Sequence, residues 1–184
     1  MILRHGENTQ NLQWGGGVDR GSYILVYWIS GFKDKETQRG FYKYAHELSK
    51  KTGLKIVQLC RGYEQYIKSL LRKEQCVLFP DIFRFISLIA NARYVLTDSF
   101  HATAFSLNLN TEPICVYPYR FSTRIESILR LTHTLHRHVA SYDDFDVLNR
   151  PVKFDEVNWI LDSERKKASD WLNMVLSEIR EHNA

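Results

Sequence analysis

Arg93-Tyr94-Val95-Leu96-Thr97-Asp98-Ser99-Phe100-His101-Ala102-Thr103-Ala104 is the stretch on which the fold turns. Arg93 to Thr97 (RYVLT) has the apolar, β-branched and aromatic content of a strand covered on both faces. A polar pair, Asp98 and Ser99, follows at once, and a helix is expected from about Ser99 to Leu109. Either Asp98 or Ser99 suits the N-cap, where a side-chain oxygen accepts from an amide two or three residues on. A strand that feeds a helix with so short a turn is half of a βαβ unit.

The pattern repeats on both sides. Tyr23 to Ile29 (YILVYWI) and Leu54 to Cys60 (LKIVQLC) read as buried strands, and Cys76 to Phe79 as a shorter one. Asp34 to Lys51 has helical spacing, with Phe41, Ala45 and Leu48 on one side and Gly53 as its C′ residue. A short helix is expected over Glu64 to Lys73. Pro80 and Asp81 open another, with Phe83, Ile86, Ile89 and Ala90 as its apolar face and Asn91 at its end.

Downstream, Glu112 to Tyr117 is a strand, and Thr123 to Leu131 a helix in which Thr123 and Glu126 are spaced as a capping box. His138 to Ser141 is a candidate last strand. Val157 to Ile179 closes the chain as an amphipathic helix, its stripe running from Val157, Ile160 and Leu161 through Ala168, Trp171 and Leu172 to Val175 and Ile179. Trp28, Trp159 and Trp171 are expected to pack. Strand and helix alternate five times with short connections, which predicts an α/β fold: an open, doubly wound parallel sheet with helices on both faces.

Residues 1–21 hold five of the nine glycines and have little with which to build a core, so they are expected to be linker-like. Residues 22–184 form the expected Rossmann-like domain. The net charge of +4 comes from scattered lysines and arginines, which suits an anionic ligand and argues against nucleic acid. Arg165-Lys166-Lys167 reads as a solvated helix face. Three cysteines without a C-x-x-C pair suggest reduced thiols. No apolar run is long enough for a transmembrane segment, and no secretory h-region is present. The expected location is therefore the cytoplasm, with the inner face of the membrane left open. His133, His136 and His138 lack metal-ligand spacing, so no metal and no cofactor are expected.

In an open parallel sheet, ligands bind beyond the carboxyl ends of the strands. Of those ends, Thr97-Asp98-Ser99-Phe100-His101 is the richest, because the positive start of a helix there favours an anion and His101 falls in the first turn. Arg120 and Arg124 follow the next strand and are expected at the same edge, where guanidinium forks add to an anion pocket. The plain alternative is an Asp-Ser cap with no ligand and a surface histidine.

The block Phe85 to Ser106, with Thr97-Asp98-Ser99-Phe100-His101 at its centre, resembles the signature of the polysaccharide pyruvyl transferase family. Ser122-Thr123-Arg124-Ile125-Glu126-Ser127-Ile128-Leu129 resembles a second family motif, and Phe154-Asp155-Glu156-Val157-Asn158 and Arg165-Lys166-Lys167-Ala168-Ser169 its closing helix. Ala102 stands where relatives usually carry glycine, and the arginine of an Arg-x-His entrance is replaced by Ser99.

The resemblance implies the C-terminal, donor-binding half of a GT-B-like enzyme whose N-terminal domain is missing here. It implies transfer of pyruvyl from phosphoenolpyruvate to hydroxyls of a saccharide acceptor, as a ketal, in bacterial exopolysaccharide synthesis. His101 would be the acid/base or bind the departing phosphate. Ser99 would hold the phosphate, Arg124 and Arg120 would neutralise donor charge, and Asp98 would sit in the site as a cap or turn residue. Two rivals stay open: a GT-B glycosyltransferase domain for a nucleotide sugar, and a non-catalytic binding domain lacking its partner half.

Overall fold

The computed structural model describes residues 20–30, 33–118 and 122–182. Tyr23–Tyr27 forms β1, the centre of a five-stranded sheet. In chain order follow α1 (Lys35–Thr52), β2 (Lys55–Cys60), α2 (Tyr63–Leu71), β3 (Gln75–Leu78), α3 (Ile82–Asn91), β4 (Tyr94–Thr97), α4 (Phe100–Asn108), β5 (Glu112–Cys115), α5 (Thr123–Leu131) and α6 (Phe154–His182). The strand order is β3-β2-β1-β4-β5 and every pairing is parallel. The α/β Rossmann-like architecture expected from the alternation is therefore present, with the topological switch between β1 and β4.

The strands alternate their side chains between two cores, as the two-residue period requires. Ile24, Val26 and Leu96 face Phe41, Tyr44 and Leu48 of α1. Leu25, Leu59 and Val95 face Ile89 of α3 and Ala102 of α4. With both faces covered, the apolar runs of β1 and β4 are buried throughout. The first turns of α6 close a third cluster, Val157 against Leu107 and Val152.

The helix ends follow local chemistry. Asp34 caps α1 by accepting from the Thr37 amide, and Gly53 ends it at a φ of 70°, as expected of a C′ glycine. Asp81 caps α3 in the same way, accepting from Arg84. In α5, however, Thr123 lies inside the helix, Ser122 is the N-cap without a side-chain bond, and Glu126 pairs with Arg130. The expected capping box does not form.

Other expectations shift as well. In α3 the expected Ile89 is buried with the partly buried Phe85 and Leu88 beside it, while Phe83 is exposed. His138 makes a single bridge to Cys115 rather than opening a strand. Trp28 is buried beside Phe41, with ring centroids 4.4 Å apart, but Trp159 and Trp171 are exposed. Every residue from 166 to 174 is exposed, so α6 leaves the body of the domain after its first turns. The linker-like segment lies outside the described residues apart from residues 20 and 21.

The largest fully buried side chain is Arg137. Its guanidinium donates to the carbonyls of Pro113, Val147 and Arg150 and stands 3.3 Å from the Glu112 carboxylate, which in turn accepts from the Val152 amide. This charge therefore holds β5 to the chain that follows it, although burial pulls its pKa down. The sequence showed it only as one arginine among many.

Candidate functional site

The switch between β1 and β4 is fixed by residues of the Thr97–Ser99 turn. The Thr97 hydroxyl donates to the Tyr27 carbonyl at 2.6 Å and accepts from the Ser99 amide at 3.0 Å. The two carboxylate oxygens of Asp98 accept from the amides of Ile29 and Ser30, at 2.7 and 2.8 Å. Burial raises the Asp98 pKa, and those amides act in the opposite direction. Asp98 is thus a clamp that ties the end of β1 to the end of β4. Both of its oxygens are engaged in this way, which gives the turn residue expected at this position a structural task.

Ser99 is the N-cap of α4, and its hydroxyl accepts from the Ala102 amide at 3.3 Å. The hydroxyl proton is still free to be donated to an anion, which is the half of its chemistry a phosphate uses. A helix leaves its first amides without intrahelical partners, and at α4 these face the carboxyl edge of the sheet. His101 is exposed in this first turn. Phe100, beside it, turns to the other side and packs with Ile125 and Leu129 of α5.

A cleft of about 550 Å³ opens at this edge, with Ser99 and His101 in its wall. The ends of β1 and β2 contribute Tyr27, Ile29, Cys60 and Arg61. The chain after β3 contributes Phe79, Pro80 and Ile82, and Phe85 and Phe105 form the floor between α3 and α4. Arg61 is the cation of the cleft. One of its guanidinium nitrogens donates to the Ile29 carbonyl, and its backbone amide donates to Gln65 at 3.0 Å. Its charge opposes the rise that burial gives the Tyr27 pKa. Burial also pushes the Cys60 thiol to a pKa of about 11, which leaves it a neutral wall residue rather than a nucleophile.

The structure therefore brings Ser99 and His101 together and joins to them Arg61, whose strand end the sequence offers without marking it as a site residue. The end of β2 was recognisable as a strand end, but nothing local reveals that Arg61 reaches across to β1. Arg124 is absent from the cleft wall. It is exposed, its guanidinium 5.9 Å from the Phe100 ring, on the α5 side of the helix start. Arg120 lies outside the described residues.

The three histidines near the chain's middle do not converge. His133 bonds to Glu156 at 2.7 Å, His138 stacks on Tyr117 at 3.5 Å, and the Nε2 of His136 is buried without a hydrogen-bond partner. Among the described residues no group of His, Cys, Asp and Glu is set to hold a metal ion. Nor is any described helix long and apolar enough to cross a membrane.

Comparison with known proteins adds a family. The family model described as polysaccharide pyruvyl transferase matches residues 16–119, more than half of the chain. No curated protein matches it. Among solved structures, a UDP-GlcNAc 2-epimerase from Neisseria meningitidis bound to UDP-GlcNAc is similar at 13% identity and a TM-score of 0.44. That alignment covers 85% of this chain and 39% of the epimerase, so the chain spans well under half of that structure's length.

Proposed function

The chain belongs to the polysaccharide pyruvyl transferase family, and from that premise we propose that it is the donor-binding half of an enzyme that transfers pyruvyl from phosphoenolpyruvate to a saccharide. The observation that carries the proposal is the meeting of Ser99, His101 and Arg61 around the start of α4 in one cleft. A serine hydroxyl, helix amides and a guanidinium suit a phosphate and a carboxylate, the two anionic ends of this donor. The work belongs to bacterial surface-polysaccharide synthesis in the cytoplasm, together with a further domain that supplies the rest of the site.

In the reaction, the donor's methylene carbon takes a proton and becomes a methyl group. The adjacent carbon, now oxocarbenium-like, is attacked by one sugar hydroxyl and then by a second, while its bond to the phosphate oxygen breaks. Two hydroxyl protons are released, one balancing the methyl group and the other leaving with phosphate. His101 is the acid for the methylene carbon, because it is the titratable side chain of the cleft placed beside the phosphate-binding turn. Ser99 and the α4 amides receive the departing phosphate. Arg61 holds the donor's carboxylate, and the charges of Arg124 and Arg120 lower the energy of an approaching anion.

The cleft's size favours one rival, a nucleotide-sugar donor with its diphosphate at the same helix start. Titrating the chain with phosphoenolpyruvate and with uridine diphosphate separates the two. Preference for the small donor, abolished in Ser99→Ala/Arg61→Ala, is the expected result; tighter binding of the nucleotide would replace the proposal with its rival. In the longest product of the gene, His101→Ala is expected to lower ketal formation by about 100-fold or more while leaving donor affinity nearly unchanged.

A further inference from the structure

We propose that Phe79 is the platform on which the acceptor's sugar ring stacks, so that this half of the enzyme, and not only its partner domain, selects the saccharide. The proposal rests on the pyruvyl-transfer reading of the cleft. Phe79 directly follows β3 with a φ of 46°, in the left-handed region that bulky side chains rarely adopt. It also precedes Pro80, whose ring disfavours helical backbone in the residue before it.

Burial does not offset this strain. The residue is 61% exposed, and its ring meets Tyr63 only edge-on, at 5.9 Å. A strained residue that gains so little from packing points to a role at a site. Phe79 stands in the same cleft wall as His101.

The remainder of the cleft says what would lie there. Phosphoenolpyruvate is a three-carbon acid with one phosphate, and it fills only part of a space of about 550 Å³. On the side of Phe79 the wall is Pro80, Ile82, Phe85 and Phe105, apolar side chains that offer nothing to a carboxylate or a phosphate. The reaction's other substrate has a suitable surface. A pyranose ring presents C–H groups on one face and hydroxyls around its edge. Laid on Phe79, it buries the C–H face against an aromatic ring and turns its hydroxyls towards His101 and the donor.

The test uses the 184-residue chain as wild type, Phe79→Gly and Phe79→Trp. Affinities for methyl pyranosides of the gluco, galacto and manno series, and separately for phosphoenolpyruvate, are followed by ligand-observed NMR. At least one glycoside is expected to bind the wild type, to lose about tenfold or more in affinity with glycine, and to recover with tryptophan. Phosphoenolpyruvate affinity should be the same in all three. The thermal midpoint of Phe79→Gly should equal or exceed that of the wild type, because glycine accepts the positive φ without strain.

Glycoside binding that ignores Phe79, or no glycoside binding to the wild type, overturns the proposal. So does a Phe79→Gly chain with a lower midpoint and weakened binding of both ligands, which is the mark of a structural residue. Uridine monophosphate that depends on Phe79 where no glycoside does would assign the ring to a base and likewise overturn it. Failure of phosphoenolpyruvate to bind the wild type would instead remove the donor reading, and the glycoside series would still decide the role of Phe79.

Discussion

Asp98 illustrates how a site residue differs from a residue that builds a site. A carboxylate in a turn before a helix reads locally as a cap or a ligand, and the amides it accepts from, Ile29 and Ser30, lie 69 and 68 positions away. No local pattern contains that partnership, whereas the Ser99 cap, made within three residues, was legible. Removing the Asp98 carboxylate leaves two partly buried amides without acceptors. Asp98→Ala is expected to lower unfolding free energy by about 2–3 kcal/mol in chemical denaturation. Ser99→Ala, which removes one cap at a single helix, should cost about 1 kcal/mol. Equal losses would contradict the division of labour between the two residues. Arg61 belongs to the same scale: its strand end was visible in the sequence, but its reach towards β1 was not.

Elements were legible where their pattern repeats over many residues. The length of α1 and the glycine that ends it follow from sequence, as do the order of strands and helices. Elements misread were those whose outcome depends on what lies opposite. In α6 the apolar stripe continues through Trp171, Leu172 and Ile179, but the body of the domain ends beneath its first turns, so those residues are exposed. Deleting residues 171–184 is therefore expected to change unfolding free energy by less than about 0.5 kcal/mol, whereas Val157→Ala, in the buried turn, should cost about 1–2 kcal/mol.

Gly40 makes the converse point within α1. A methyl group there would stand 2.8 Å from the Tyr142 ring, which is packed against Phe41 and Tyr44. Alanine normally gains about 1 kcal/mol over glycine in a helix. Here Gly40→Ala is expected to be net destabilising, since the ring cannot yield without disturbing its neighbours. A rise in thermal midpoint would show that it can.

At the scale of the whole molecule, the domain is a two-faced sheet with the cleft at the start of α4 on its carboxyl edge. Its response to pH follows from two histidines behind β5. Burial lowers the pKa of both His136 and His138 from the ordinary 6.5. The folded chain therefore binds these protons less tightly than the unfolded chain does. The stability this represents is complete above that ordinary value and is lost as pH falls through it towards the folded values. Stability should decline on acidification from near neutrality, and His136→Gln/His138→Phe should flatten that decline; an unchanged slope would place its source elsewhere.

The central claim is that the start of α4 receives a phosphorylated donor. A crystal structure of the chain with phosphoenolpyruvate tests this most directly. The account predicts the phosphate at the first turn of α4, hydrogen-bonded by Ser99 and within reach of His101, with the carboxylate towards Arg61. A donor seated elsewhere on the chain, or a cleft that stays without density at saturating concentration, would contradict it.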